Sequence, residues 1–92
     1  MFEREITDEC KYFITHDNLE SLKELYEHYY TDSESKDVAW DVVFKDIYIH
    51  ACLKKRKDIV EWLDEIYKEF DPIIKIGLRQ MFPYAKYLYN KK

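Results

Sequence analysis

The sequence predicts an all-α fold of about six short helices in three stacked antiparallel pairs, with a non-repetitive helical bundle as the alternative. Three observations lead there. Apolar residues recur at intervals of three and four along almost the whole chain, the period of a helix with one buried stripe. One glycine and two prolines in 92 residues leave little material for the turns of a sheet protein. Three blocks of sequence also superimpose without a gap, each with apolar residues at the same phase. A chain of this length holds one small domain, residues 1–92, with a thin stability margin.

The first helix is expected over about residues 3 to 15, with Ile6, Cys10, Phe13 and Ile14 on one face. Asp17 or Asn18 caps the second, "LESLKELYEHYY", in which Leu19, Leu22, Leu25, Tyr26 and Tyr29 form a stripe. "TDSESKD", residues 31 to 37, reads as a loop because its short polar side chains compete with helix hydrogen bonds. "VAWDVVFKDIYIHACL", residues 38 to 53, is rich in β-branched and aromatic types, and a strand competes there. Its length and the spacing of Trp40, Val43, Phe44, Ile47, Tyr48 and Ala51 favour a helix. A fourth helix runs over about 58 to 69, with Ile59, Trp62, Leu63 and Ile66 on its stripe and Asp58 at its positive end. "DPIIKIGLRQMF" is a shorter helix with Pro72 in its first turn, and a last helix starts at Pro83. Lys91 and Lys92 complement its carboxyl end.

The superimposable blocks are "FITHDNLESLKEL" (13 to 25), "ACLKKRKDIVEWL" (51 to 63) and "IGLRQMFPYAKYL" (76 to 88). They align Leu22 with Val60 and Ala85, and Leu25 with Leu63 and Leu88, as expected of repeated helix-turn-helix units. The middle block resembles a degenerate ankyrin repeat of the type common in large DNA viruses. Ala51 and Cys52 match the small pair that ends the first helix of that family, and Asp58, Ile59, Val60 and Leu63 match the block that opens the second. The turn glycine of the family is replaced by Asp17, Lys55 and Gln80, the Thr-Pro-Leu-His opening is absent, and no segment reads as hairpin fingers. The resemblance implies a short ankyrin-like solenoid and a protein-interaction role.

Composition narrows the functional classes. A net charge of −4 argues against a dedicated nucleic-acid binder and against an anionic membrane surface. No apolar run approaches the roughly 18 residues of a membrane span. The N-terminus is charged from Glu3, unlike a secretory signal. Cys10 and Cys52 make no disulfide framework and are read as reduced, buried thiols. A soluble intracellular protein is expected, cytoplasmic with the nucleus not excluded, and the span from Met1 to "NKK" reads as a whole small protein. No catalytic motif stands out, and His16, His28, His50 and the two cysteines lack metal-ligand spacing, so no enzyme, cofactor, metal or small-molecule substrate is expected.

Two sets of residues carry the functional expectation. Trp40, Tyr48, Trp62, Tyr84 and Tyr87 are candidate aromatic anchors for a protein partner or a second copy, because interface energy concentrates in such side chains; the two tryptophans have a competing reading as core. The last helix carries more aromatics than one buried face accommodates, which points to a homodimer through that end. Lys54, Lys55, Arg56 and Lys57 form a cationic run with two readings: a solvated turn between helices, or a contact for nucleic acid or another anion.

Overall fold

The computed structural model describes residues 2–31 and 40–91, with the backbone alone at residues 2, 3, 29–31 and 40. Of the expected loop at 31–37, Thr31 instead ends the second helix, and residues 32–37, together with Val38, Ala39 and Lys92, lie outside the described residues. Six helices follow one another: α1 (Phe2–Thr15), α2 (Leu19–Thr31), α3 (Trp40–Leu53), α4 (Lys57–Glu69), α5 (Pro72–Arg79) and α6 (Met81–Asn90). No strand occurs among the described residues. The all-α expectation holds, including at 40–53, where a strand competed.

The composition of that segment follows from its position. α3 packs against α1 on one flank and α6 on the other, with α4 and α5 also against it. Val43, Phe44, Ile47, Tyr48, Ala51 and Cys52 are all buried, so apolar residues occupy more than a single stripe. A helix covered on several sides needs bulk in several directions, and here β-branched and aromatic residues supply it. Phe44 meets Phe70 edge-on at 5.2 Å between ring centroids, and Tyr48 meets Phe82 at 5.0 Å.

The first two hairpins are copies of each other in hydrogen-bond detail. Asn18 N–H donates to the Phe13 carbonyl and Asp17 N–H to that of Ile14. Arg56 N–H donates to the Ala51 carbonyl and Lys55 N–H to that of Cys52. This is the Schellman arrangement, which satisfies the last carbonyls of a helix and needs a left-handed residue. Asp17 (φ 55°) and Lys55 (φ 58°) supply it where a glycine is usual. The following helices open alike, with Leu22 N–H on the Asn18 carbonyl and Val60 N–H on that of Arg56. Of the two expected caps, Asn18 is the one engaged: its Oδ1 accepts from Ser21 N–H at 3.2 Å.

The third block departs from this pattern. Gln80, aligned with Asp17 and Lys55, is right-handed (φ −73°, ψ −17°), so α5 runs into α6 through one residue without a Schellman turn. Pro83 explains the break. It has no N–H for the Arg79 carbonyl, and its ring crowds that carbonyl, so a continuous helix cannot pass this point. Pro83 is thus the third residue of α6, which starts at Met81, two residues earlier than the sequence predicts.

α6, more than α5, lies beside α3. Phe82 faces Tyr48, and the carbonyl of Tyr89 faces Lys55; both pairs are 34 residues apart, so the two helices run parallel. α1 also ends beside the end of α3, where Thr15 Oγ1 lies 2.9 Å from His50 Nε2. α1, α3 and α6 therefore form a row with α3 in the middle.

The left-handed residues give a stability test. Left-handed backbone costs an L-residue about 1–2 kcal/mol, less for Asp, and glycine returns roughly 0.5–1 kcal/mol through the unfolded chain. Asp17→Gly is expected to stabilise the protein by about 0.5 kcal/mol in urea unfolding. Lys55→Gly relieves the same backbone but removes an ammonium that is bonded elsewhere, and is expected to gain less. Equal gains at the two sites would show that the Lys55 side chain contributes nothing.

Candidate functional site

The cationic turn has a structural role. Arg56 Nε donates to the Ile14 carbonyl at 3.1 Å and its Nη2 to that of Thr15 at 2.6 Å, closing the carboxyl end of α1. Lys55 Nζ donates to the carbonyls of Leu88 (3.2 Å), Tyr89 (3.0 Å) and Lys91 at the end of α6. The end of α3 lies at the same corner. Three helix carboxyl ends, each with partial negative charge and unsatisfied carbonyls, meet where the sequence places cations. The role expected of Lys91 and Lys92 at the end of α6 is filled by Lys55. Lys54 and Lys57 are exposed. Two of the four cations are thus turned toward carbonyls of the chain itself.

The aromatic candidates separate. Tyr48 is 0% exposed and presents no surface to a partner. Its hydroxyl donates to Asp64 Oδ1 at 2.6 Å; Asp64 Oδ2 lies 3.6 Å from Lys86 Nζ, which sits over the Tyr48 ring at 5.5 Å. This knot joins α3, α4 and α6. Burial, then the bond to Asp64, pushes the Tyr48 hydroxyl far up, so it stays protonated. Trp62 is half-buried and meets Tyr26 edge-on at 5.6 Å, bridging α4 and α2. The side chain of Trp40 lies outside the described residues. Tyr84 and Tyr87 are 56% and 60% exposed.

These two tyrosines belong to a longer feature that sequence reasoning missed. Ile73 and Ile76 of α5 are 84% and 69% exposed. Positions 73, 76, 80, 84 and 87 recur at three and four, so the isoleucines, Gln80 and the tyrosines follow one another along the α5–α6 segment. The inward side of the segment is taken by Leu78, Met81 and Ala85. A signal was present: an eight-residue helix with Ile73, Ile74, Ile76 and Leu78 carries more apolar bulk than one stripe buries. Residues 72–92 also contain five lysines and arginines and no carboxylate side chain.

Two grooves lie elsewhere. One of about 630 Å³ separates α2 from α4 and is lined by Leu19, Lys23, Asp58, Glu61, Trp62, Asp64, Glu65 and Lys68. One of about 310 Å³ opens between α1 and α2, lined by Glu9, Phe13, Ser21, Glu24, Leu25 and His28. No three of His, Cys, Asp and Glu converge as a metal site, and no helix is long and apolar enough to cross a membrane, both among the described residues. His50 is held below its usual range by partial burial, then by Lys11 and Lys54. Comparison with protein-family models, curated proteins and solved structures finds no match.

Arg56→Met keeps the aliphatic stem and removes both bonds to α1, and is expected to destabilise by about 1–2 kcal/mol in urea unfolding, less than a fully buried charged bond because the guanidinium is partly solvated. A change below about 0.3 kcal/mol would remove the cap from the account. Burial pushes the Cys10 thiol up to about 12 and the Cys52 thiol up to about 11. Both are raised in the fold, so their contribution is present below the unfolded value near 9 and is lost as pH climbs from about 9 to about 11–12. Ellman's reagent at pH 8 is expected to find no fast thiol in the native protein and two after unfolding.

Proposed function

We propose that the protein is a small, non-catalytic interaction module, built as a short ankyrin-like stack and binding protein through its α5–α6 edge. The observation that carries this reading is the exposure of four large apolar or aromatic side chains on consecutive helices, Ile73 and Ile76 on α5 and Tyr84 and Tyr87 on α6. Single exposed apolar residues are ordinary on a soluble protein; four within 15 residues of sequence, in two pairs each three residues apart on its own helix, are the concentration expected of an interaction surface. Aromatic residues at its centre suit a hot spot, since they add contact area at low conformational cost. Support for stacking comes from the matching Schellman turns of the first two hairpins and from α1 beside α3; the third unit departs from it, since α6 and not α5 takes the other flank of α3. The interaction role of the ankyrin resemblance is fold-level analogy.

The second reading, a nucleic-acid contact at Lys54–Lys57, has less support, because Lys55 and Arg56 are bonded to helix ends. A photo-crosslinking residue in place of Tyr84 tests the first reading in a lysate of the source cells. Crosslinks to protein are expected, lost when Ile73→Ser and Ile76→Ser are added with helicity unchanged. Labelling no greater than from a probe at exposed Lys68 would end the proposal.

A further inference from the structure

The two ends of the helical row differ in charge. At one end, residues 2–31 (α1 and α2) carry eight carboxylate side chains against three lysines and arginines. At the other, residues 72–92 carry five cations and no carboxylate side chain. Both ends also expose apolar or half-buried apolar side chains. On α2, Leu19, Lys23 and Tyr26 turn toward α4, where Leu19 and Lys23 line the groove with Trp62 and Tyr26 meets the Trp62 ring. Ser21, Glu24, Leu25 and His28 point the other way, where with Glu9 and Phe13 of α1 they line the groove of about 310 Å³. That groove therefore opens on the end of the row away from α3 and α4. It is lined by apolar Phe13 and Leu25 and by the exposed carboxylates Glu9 and Glu24.

We propose that the α5–α6 edge docks into the α1–α2 groove of a second copy of this chain, so that copies join head to tail. This rests on the reading of α5–α6 as a docking edge and adds the occupant. Charge decides the geometry. A two-fold contact of α5–α6 against itself brings the exposed Arg79 toward its own copy with no carboxylate side chain on either segment to offset it, whereas Lys75 lies over Tyr67 and Lys86 pairs with Asp64 within the chain, and like charges across an interface are penalised. Placing the same edge on α1–α2 sets the exposed Arg79 against Glu9 and Glu24, and Ile73, Ile76 or Tyr84 over Phe13 and Leu25. The row α1, α3, α6 is then continued by α1 of the next copy. A contact between two different patches leaves one of each free, so the assembly grows beyond dimers unless its rotation closes a ring.

The test is sedimentation velocity on the full chain and on two end-blocked variants at exposed positions: Arg79→Glu with Tyr84→Ser, and Glu9→Lys with Glu24→Lys. The wild type is expected to grow with concentration past dimer. Its association should weaken by about tenfold or more from low to high salt, as for an ion-paired rim. Each variant alone is expected to be monomeric, and an equimolar mixture of the two to form a 1:1 dimer and nothing larger, since each supplies the end the other lacks. Self-association of the Glu9→Lys, Glu24→Lys variant at wild-type strength would overturn the proposal in favour of an α5–α6 two-fold. A wild type that stays monomeric at all accessible concentrations would overturn it too. In that case crosslinking from Tyr84 to another protein leaves the docking edge standing, sedimentation with phosphatidylserine vesicles assigns the edge to a membrane surface, and neither removes the edge as well.

Discussion

The turn at residues 54–56 is where this fold is tied together. Three helix carboxyl ends meet there, and a helix end brings carbonyls without partners and about half a negative charge. Left alone, three such ends repel one another and require water at a crowded corner. Arg56 reaches back 42 residues to α1 and Lys55 reaches forward 34 residues to α6. Each satisfies two or more carbonyls with a charged donor, a stronger bond than a neutral one. The parallel row of α1, α3 and α6 depends on this corner, because parallel helices necessarily gather their like ends.

Only two of the three hairpins share a turn, and that difference gives the molecule its two unlike ends. Where Asp17 and Lys55 turn left-handed, the chain reverses and the second helix covers the first. At Gln80 it does not, and the short α5 leaves α6 to take the flank of α3. Among the described residues no helix pairs with α6 as α2 does with α1 and α4 with α3. The first hairpin presents the opposite case, a complete pair whose outer side carries Glu9 and Glu24.

Much of this was legible in the sequence. Six helices, the core positions Leu22, Val60 and Ala85, and the equivalence of the Asp17 and Lys55 turns follow from spacing and the gapless alignment, because burial and turn geometry leave a local period. What was missed is long-range. A cationic run looks the same whether it faces solvent or carbonyls 34 to 42 residues away, and no local pattern separates the two. Tyr48 looked like an anchor because tyrosine suits half-buried sites; Asp64, 16 residues on, supplies the partner that lets it be fully buried. The alignment put Gln80 in a turn it does not make, since it scored apolar phase and passed over Pro83.

α6 is held by apolar packing and polar ties together. Met81 and Ala85 are buried on it, and Phe82, Leu88 and Tyr89 are partly buried against the core, with Phe82 edge-on to Tyr48 and Tyr67. Polar ties add to this at both ends of its contact with α3 and α4. Lys55 grips its carbonyls at one end, while toward the other Lys86 pairs with the Asp64 that also accepts the Tyr48 hydroxyl. Such ties are directional, and they fix register where an apolar contact alone would let a helix slide. A helix positioned this way does not need its outer face for stability. The outer face of α6 is therefore free to carry tyrosines, and α5 isoleucines, at solvent-facing positions where a helix held by packing alone would place charges.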